Sequence, residues 1–237
     1  MKKGRLYLIP TALSAASTAQ HLTPAIAEVL QHTRYYVAEH AREARRYISA
    51  LKLDIDISAL SFTELNKHTD RQALHDLLAP ALAGHDLGLL SDAGCPAVAD
   101  PGADLVLAAQ QQGIRVVPLP GPSAPLLALM ASGLGGQRFR FAGYLPIDKK
   151  ELRQALRDME KRSARLQETQ LFIETPYRTA RMLHSLLDML QPDTLLSLAA
   201  NLTAPDETIM TLPVKEWRKL NYRPGKVPAV FLLLATA

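Results

Sequence analysis

The residues best placed to do chemistry lie between Leu89 and Val106, in the stretch LLSDAGCPAVADPGADLV. Asp92 puts a carboxylate directly after an apolar run, Asp86 to Ser91, that has no helical period and reads as a buried strand. Gly94, Pro96, Pro101 and Gly102 then crowd a short span that also holds Cys95 and a second carboxylate, Asp100. Glycine and proline at that density stop both helix and strand and give the loop a fixed, irregular path. A helix is expected from Ala103 to Gln112, apolar at Leu105, Val106, Ala108 and Ala109. Strand, rigid loop and helix N-terminus form the place where open α/β sheets bind ligands, outside the carboxyl ends of the strands. On spacing alone, a structural turn whose aspartate caps backbone amides fits equally well.

The elements that must hold this loop alternate. Strands are expected at Arg5–Ile9, Tyr35–Glu39, Ser61–Glu64 and Arg115–Pro118. Helices are expected from the Thr23-Pro24 cap to Gln31, from Ala41 to Leu51, from an Asp70 cap to Ala83 with a bend at Pro80, and from a Ser123 cap through Met130. The last is apolar all round, which predicts burial. Strand–helix alternation argues for a largely parallel sheet. After Pro120-Gly121-Pro122 the style changes. A basic helix (Asp148 to Glu168) and a second (Tyr177 to Leu190) join strands at Arg138–Tyr144, Leu171–Glu174, Leu195–Leu202, Thr208–Leu212 and Ala229–Ala235, which suggests a mixed sheet. The expected organisation is two α/β domains, residues 1–120 and 121–237.

Composition narrows the class. The 237 residues are 48% hydrophobic and 21% charged, ordinary for a protein with a good core. A formal net charge of +4 permits an RNA partner without requiring one. The single cysteine, Cys95, allows no internal disulfide and fits a reducing, cytoplasmic setting. No Cys/His cluster has zinc spacing, and Glu64 with His68 does not make a metal site, so none is expected. Lys2-Lys3 before an apolar run imitates a secretory signal, but that run is short and broken by Pro10, and Leu6 to Ile9 reads better as a strand. Ala229 to Ala235 falls far below the ~20 residues of a membrane span.

Ser91-Asp92-Ala93-Gly94-Cys95-Pro96, continued by Ala99-Asp100-Pro101-Gly102 and followed by Pro120-Gly121-Pro122-Ser123-Ala124, resembles the tetrapyrrole methylase superfamily. Within it, the ribosomal RNA small-subunit methyltransferase I group is the nearest likeness. Phe172-Ile173-Glu174-Thr175-Pro176-Tyr177-Arg178 looks like that group's Tyr-Glu-Ser-Pro-His-Arg, and Asn201-Leu202-Thr203 and Pro228-Ala229 also match. The resemblance implies S-adenosylmethionine as cofactor, held in a cleft between the two domains, and a homodimer. It implies donor contacts at Pro10, Asp92, Gly94, Cys95, Val98, Ala99, Ser123, Ala124, Glu174, Leu202, Pro228 and Ala229, mostly through backbone. A sulfonium nucleoside carries no phosphate, which agrees with the lack of a glycine-rich phosphate cradle.

The departures fall elsewhere. The group's Glu-Asp-Thr-Arg is here Glu39-His40-Ala41-Arg42, its His-Glu-His-Asn is Thr63-Glu64-Leu65-Asn66, and its Leu-Thr-Lys is Leu202-Thr203-Ala204, without the lysine. The altered segments are expected on the acceptor side, where Glu39, His40 or Arg42 would orient the acceptor; Glu39 and Arg42 are the catalytic candidates, and a solvated helix start is the favoured reading of His40. RNA is the expected acceptor, at a ribose 2′-hydroxyl. The alternatives are a small-molecule, tetrapyrrole-like methyltransferase and a donor-binding protein without catalysis. The basic helix from Lys149 serves either RNA phosphates or solvation.

Overall fold

A computed structural model describes residues 2–65, 69 and 71–235. The chain forms two compact units, Met1–Ser123 and Ala124–Ala237. In unit 1, β1 (Arg5–Ile9), β2 (Tyr35–Ala38), β3 (Ser61–Glu64), β4 (Leu87–Leu90) and β5 (Arg115–Pro118) form one sheet in the order β3-β2-β4-β1-β5, every pair parallel. Alternation along the strands sends successive side chains to opposite faces. Tyr7, Ile9, Tyr36, Ala38 and Leu90 pack with Ile26 and Leu30 of the helix Pro24–His32 and with Ala44 and Ile48 of the helix Ala41–Ala50. Leu6, Val37, Leu87 and Leu89 pack with Leu74 and Leu77 of the helix Arg71–Leu77, and with Leu105 and Ala109 of the helix Ala103–Gln111. Gly88 makes room for this packing: a Cβ there would sit 2.7 Å from the Tyr36 ring. The Tyr36 hydroxyl is buried and donates to the carbonyls of Leu30 and Thr33, each at 3.2 Å.

Unit 2 is mixed, as its sequence predicts. Its strands are β6 (Phe139–Tyr144), β7 (Thr169–Glu174), β8 (Leu195–Ala200), β9 (Thr208–Pro213) and β10 (Ala229–Leu234), in the order β6-β7-β10-β8-β9. Only β6 and β7 run parallel, and the helix Lys149–Leu166 joins them. That helix starts where the Asp148 carboxylate accepts from Lys150 N at 2.9 Å and Glu151 N at 3.0 Å. It buries Leu152, Leu156 and Met159 and turns its basic residues outward.

Two expectations need correction. Pro80 does not bend one helix. The helix ends at Leu77, and Ala79–Leu82 begins anew with Pro80 in its first turn, where a missing N–H costs nothing. The expected Asp70 cap lies outside the described residues. The helix Ala124–Ser132 buries Ala128, Leu129 and Ser132 but leaves Leu126 and Met130 exposed, because only one side of it lies on the sheet. Among the unanticipated elements is the short helix Val214–Trp217, whose Trp217 indole N–H donates to Leu196 O at 2.8 Å.

Candidate active site

The carboxyl edge of the unit 1 sheet gathers most of the residues singled out in that half. β1 and β4 are neighbours, yet the chain leaves them for opposite faces of the sheet, toward the helix Pro24–His32 and the helix Ala103–Gln111 respectively. Such a divergence opens a crevice at the strand ends. The two exits are clasped together: Thr11 N donates to Gly94 O at 2.9 Å, Gly94 N returns a bond to Thr11 O at 3.2 Å, and the Thr11 hydroxyl donates to Ser91 O at 3.2 Å.

Around that clasp the loop is held by short polar contacts. The Ser91 hydroxyl donates to Gly94 O at 3.2 Å, and the Cys95 thiol donates to Pro122 O at 3.3 Å. Burial pushes that thiol up, so it serves as a donor and not as a nucleophile. Pro10 is buried, and its carbonyl accepts from the Tyr47 hydroxyl at 3.2 Å, a group that burial pushes up to about 12. Gly121 lies so close that a Cβ there would fall 2.2 Å from Pro10 Cβ. Val98 and Ala99 are exposed, and Ala97 and Ala99 both adopt φ of +66°, a conformation that L residues pay to hold. Ser123 closes the unit, half-buried.

Strand register brings a further group to this edge. β2 and β4 pair with Ala38 opposite Leu90, so the residues two positions beyond each strand end meet as well. His40 Nδ1 lies 2.6 Å from Asp92 Oδ2. Glu39, His40 and Asp92 each bring one ligand-capable atom within 4.8 Å of the others. The hydrogen bond from His40 to Asp92, and then the Asp92 charge, raise the imidazole above its ordinary value. Burial, then Asp92, raises Glu39, with His40 opposing. Asp100, half-buried in the same loop, is pushed up to about 6 by burial and then by Glu39 and Asp92. At the end of β3, Glu64 Oε1 accepts from Ala41 N at 3.0 Å and fixes the start of the helix that carries Arg42. Arg42 itself is exposed in the first turn of that helix.

Unit 2 aligns its own candidates in a row. Ala229 on β10 stands opposite Glu174 on β7 and opposite Ala200 on β8, with Leu202 two residues further on. Pro228 O accepts from Asn201 N at 2.9 Å, which ties the β8 exit to the β10 entry. Asn201 and Thr203 flank Leu202 with φ of +54° and +67°. Glu174 is buried. Its Oε1 accepts from Thr175 N at 2.7 Å, and Arg178 Nη2 pairs with Oε2 at 3.0 Å, without the alignment of a hydrogen bond. Ala124 opens the helix Ala124–Ser132. In the same unit a cavity of about 190 Å³ is lined by Lys149, Arg178, Arg181 and His184, with Asp188 opposing.

The pairing of His40 with Asp92 was not foreseen, and Thr11 and Ser91 were not among the candidate site residues. Their signal is positional: each lies one or two residues past a parallel strand, and only the strand order shows which ends meet.

Known proteins with similar sequences and folds fit this architecture. A profile of the Tetrapyrrole (Corrin/Porphyrin) Methylases matches residues 10–217. The ribosomal RNA small subunit methyltransferase I of Vibrio cholerae serotype O1 is 34% identical over 211 residues, spanning 89% of this chain and 69% of that protein. Among solved structures, the methyltransferase CobJ aligns with a TM-score of 0.65 at 19% identity, over 99% of this chain and 95% of that one. The uroporphyrin-III C-methyl transferase of Thermus thermophilus, complexed with S-adenyl homocysteine, aligns with a TM-score of 0.53 at 19% identity, over 98% and 97%. At such identity the two structures speak to fold.

Proposed function

The chain belongs to the Tetrapyrrole (Corrin/Porphyrin) Methylases, and on that footing we propose that it transfers the methyl group of S-adenosylmethionine to small-subunit ribosomal RNA, at a ribose 2′-hydroxyl. The observation that carries the reading is the Thr11–Gly94 clasp, which fixes two irregular loops beside an exposed carboxylate. The donor supplies a methyl on a sulfonium that is already a good leaving group, so the protein must chiefly bind, align and exclude water. The residues present suit it. Asp92 offers a carboxylate oxygen to ribose hydroxyls, and the main chain of Gly94 to Ala99 approaches a ligand without bulk. Pro10, Cys95, Val98 and Ser123 complete the proposed contacts in unit 1. In unit 2 we assign Ala124, Glu174, Leu202, Pro228 and Ala229 to the same donor. Glu39 and Arg42 are proposed on the acceptor side, Glu39 toward a hydroxyl and Arg42 toward a phosphate. The basic face of the helix Lys149–Leu166 is the proposed RNA contact, and a homodimer the proposed assembly. No helix among the described residues is long and apolar enough to cross a membrane.

The test uses methyl-labelled S-adenosylmethionine with isolated small ribosomal subunits. Label in RNA, recovered after alkaline hydrolysis as a resistant dinucleotide, is the expected result, since 2′-O-methylation blocks cleavage at that phosphate. Calorimetry run beside it separates the competing readings. Donor binding with label found only in small molecules supports a tetrapyrrole-like acceptor, and donor binding with no transfer supports a protein that has lost catalysis.

A further inference from the structure

In the proposed transfer a poorly acidic ribose hydroxyl must lose its proton. We propose that His40, held by Asp92, is the general base that accepts this proton. The proposal rests on the methyl-transfer reading above and names a residue for it.

The geometry is that of an oriented imidazole. The Asp92 carboxylate accepts, so Nδ1–H donates across 2.6 Å, and the neutral ring then presents its lone pair at Nε2. The ring is exposed and can meet a bulky acceptor, while Asp92 stands in the loop assigned to the donor. Pairing of β2 with β4 fixes both partners, because each lies two residues past its strand. The charges that act most on the ring are Asp92, then Glu39 and Glu64, all acidic, so they favour the imidazolium formed in the reaction. In the step itself, Nε2 takes the hydroxyl proton as the oxygen forms its bond to the methyl carbon. The carbon–sulfur bond breaks with its electron pair left on sulfur, and the imidazolium passes its proton to water.

The test has two arms. His40→Asn keeps a donor toward Asp92 but removes the base. Its turnover on ribosomal subunits is expected to fall by about 100-fold or more, with the donor dissociation constant within about twofold of the parent and the acid limb of the pH–rate profile gone. Separately, NMR titration of the substrate-free protein is expected to show the His40 ring above the ordinary imidazole range, returning toward it in Asp92→Asn. Unchanged turnover in His40→Asn, or a surviving acid limb, overturns the base while leaving methyl transfer standing. An ordinary His40 titration in the intact protein overturns the dyad whatever the acceptor. A parent protein that transfers no methyl to ribosomal subunits overturns the function and the base together.

Discussion

Asp100→Asn should stabilise the protein at neutral and alkaline pH and leave it unchanged in acid. Burial, then Glu39 and Asp92, raises the folded-state pKa of Asp100 from 3.8 to about 6. The folded chain therefore binds this proton more tightly than the unfolded chain does. The resulting stability is fully present below pH ~4 and is lost as pH rises through about 6, so at pH 8 the wild type carries an unfavourable charge that asparagine lacks. At ~1.4 kcal/mol per pKa unit, a rise from 3.8 to about 6 sets an upper bound near ~3 kcal/mol. The side chain is only half out of water, so solvent screening brings the expectation to about 1–2 kcal/mol, a few degrees in melting temperature. Coulombic coupling of Asp100 to the neighbouring charges broadens its transition. The assay is a set of thermal melts of both proteins from pH 4 to pH 8, read as the difference between them. A difference that stays flat across the range, or grows toward acid, refutes the reasoning.

Other perturbations probe the frame around the site. Gly88→Ala forces a methyl against the Tyr36 ring and should cost about 1–3 kcal/mol in urea unfolding, with no change in the slope of the transition. Arg178→Ala strands the buried Glu174 carboxylate and should cost about 3–5 kcal/mol, whereas removing both charges together as Arg178→Met with Glu174→Gln should cost less; equal costs would show that the ion pair is not what holds this corner. Replacing Lys149, Lys150 and Arg153 by alanine should weaken RNA binding and flatten its dependence on salt by up to about three phosphate contacts, measured by filter binding across salt concentrations; an unaltered slope makes this helix a solvated face.

Much of the frame was legible because it is written locally. Thr23 before Pro24 and Asp148 before Lys149 mark helix starts by their chemistry, and both caps form as the residues dictate. The central strands of unit 1 were found because both faces of a parallel sheet are covered there, which makes sequences such as Leu87–Leu90 continuously apolar. The helix Ala124–Ser132 misled for a related reason: an all-apolar helix has no polar side to declare which face meets the sheet. The partner of His40 was illegible, since Asp92 lies 52 residues away and the two meet only when β2 takes its place beside β4. A sequence declares what precedes and follows a residue, and the edge of a parallel sheet is assembled from what does neither.

Although last in chain order among the strands, β10 is the middle plank of its sheet, with β7 on one side and β8 on the other. A ribosome making this protein can release a finished first unit long before then, but β7 and β8 have no common neighbour until Leu234 has been delivered. Until that moment the second half holds two open strand borders, and that interval of synthesis is when the chain most needs shelter from its neighbours.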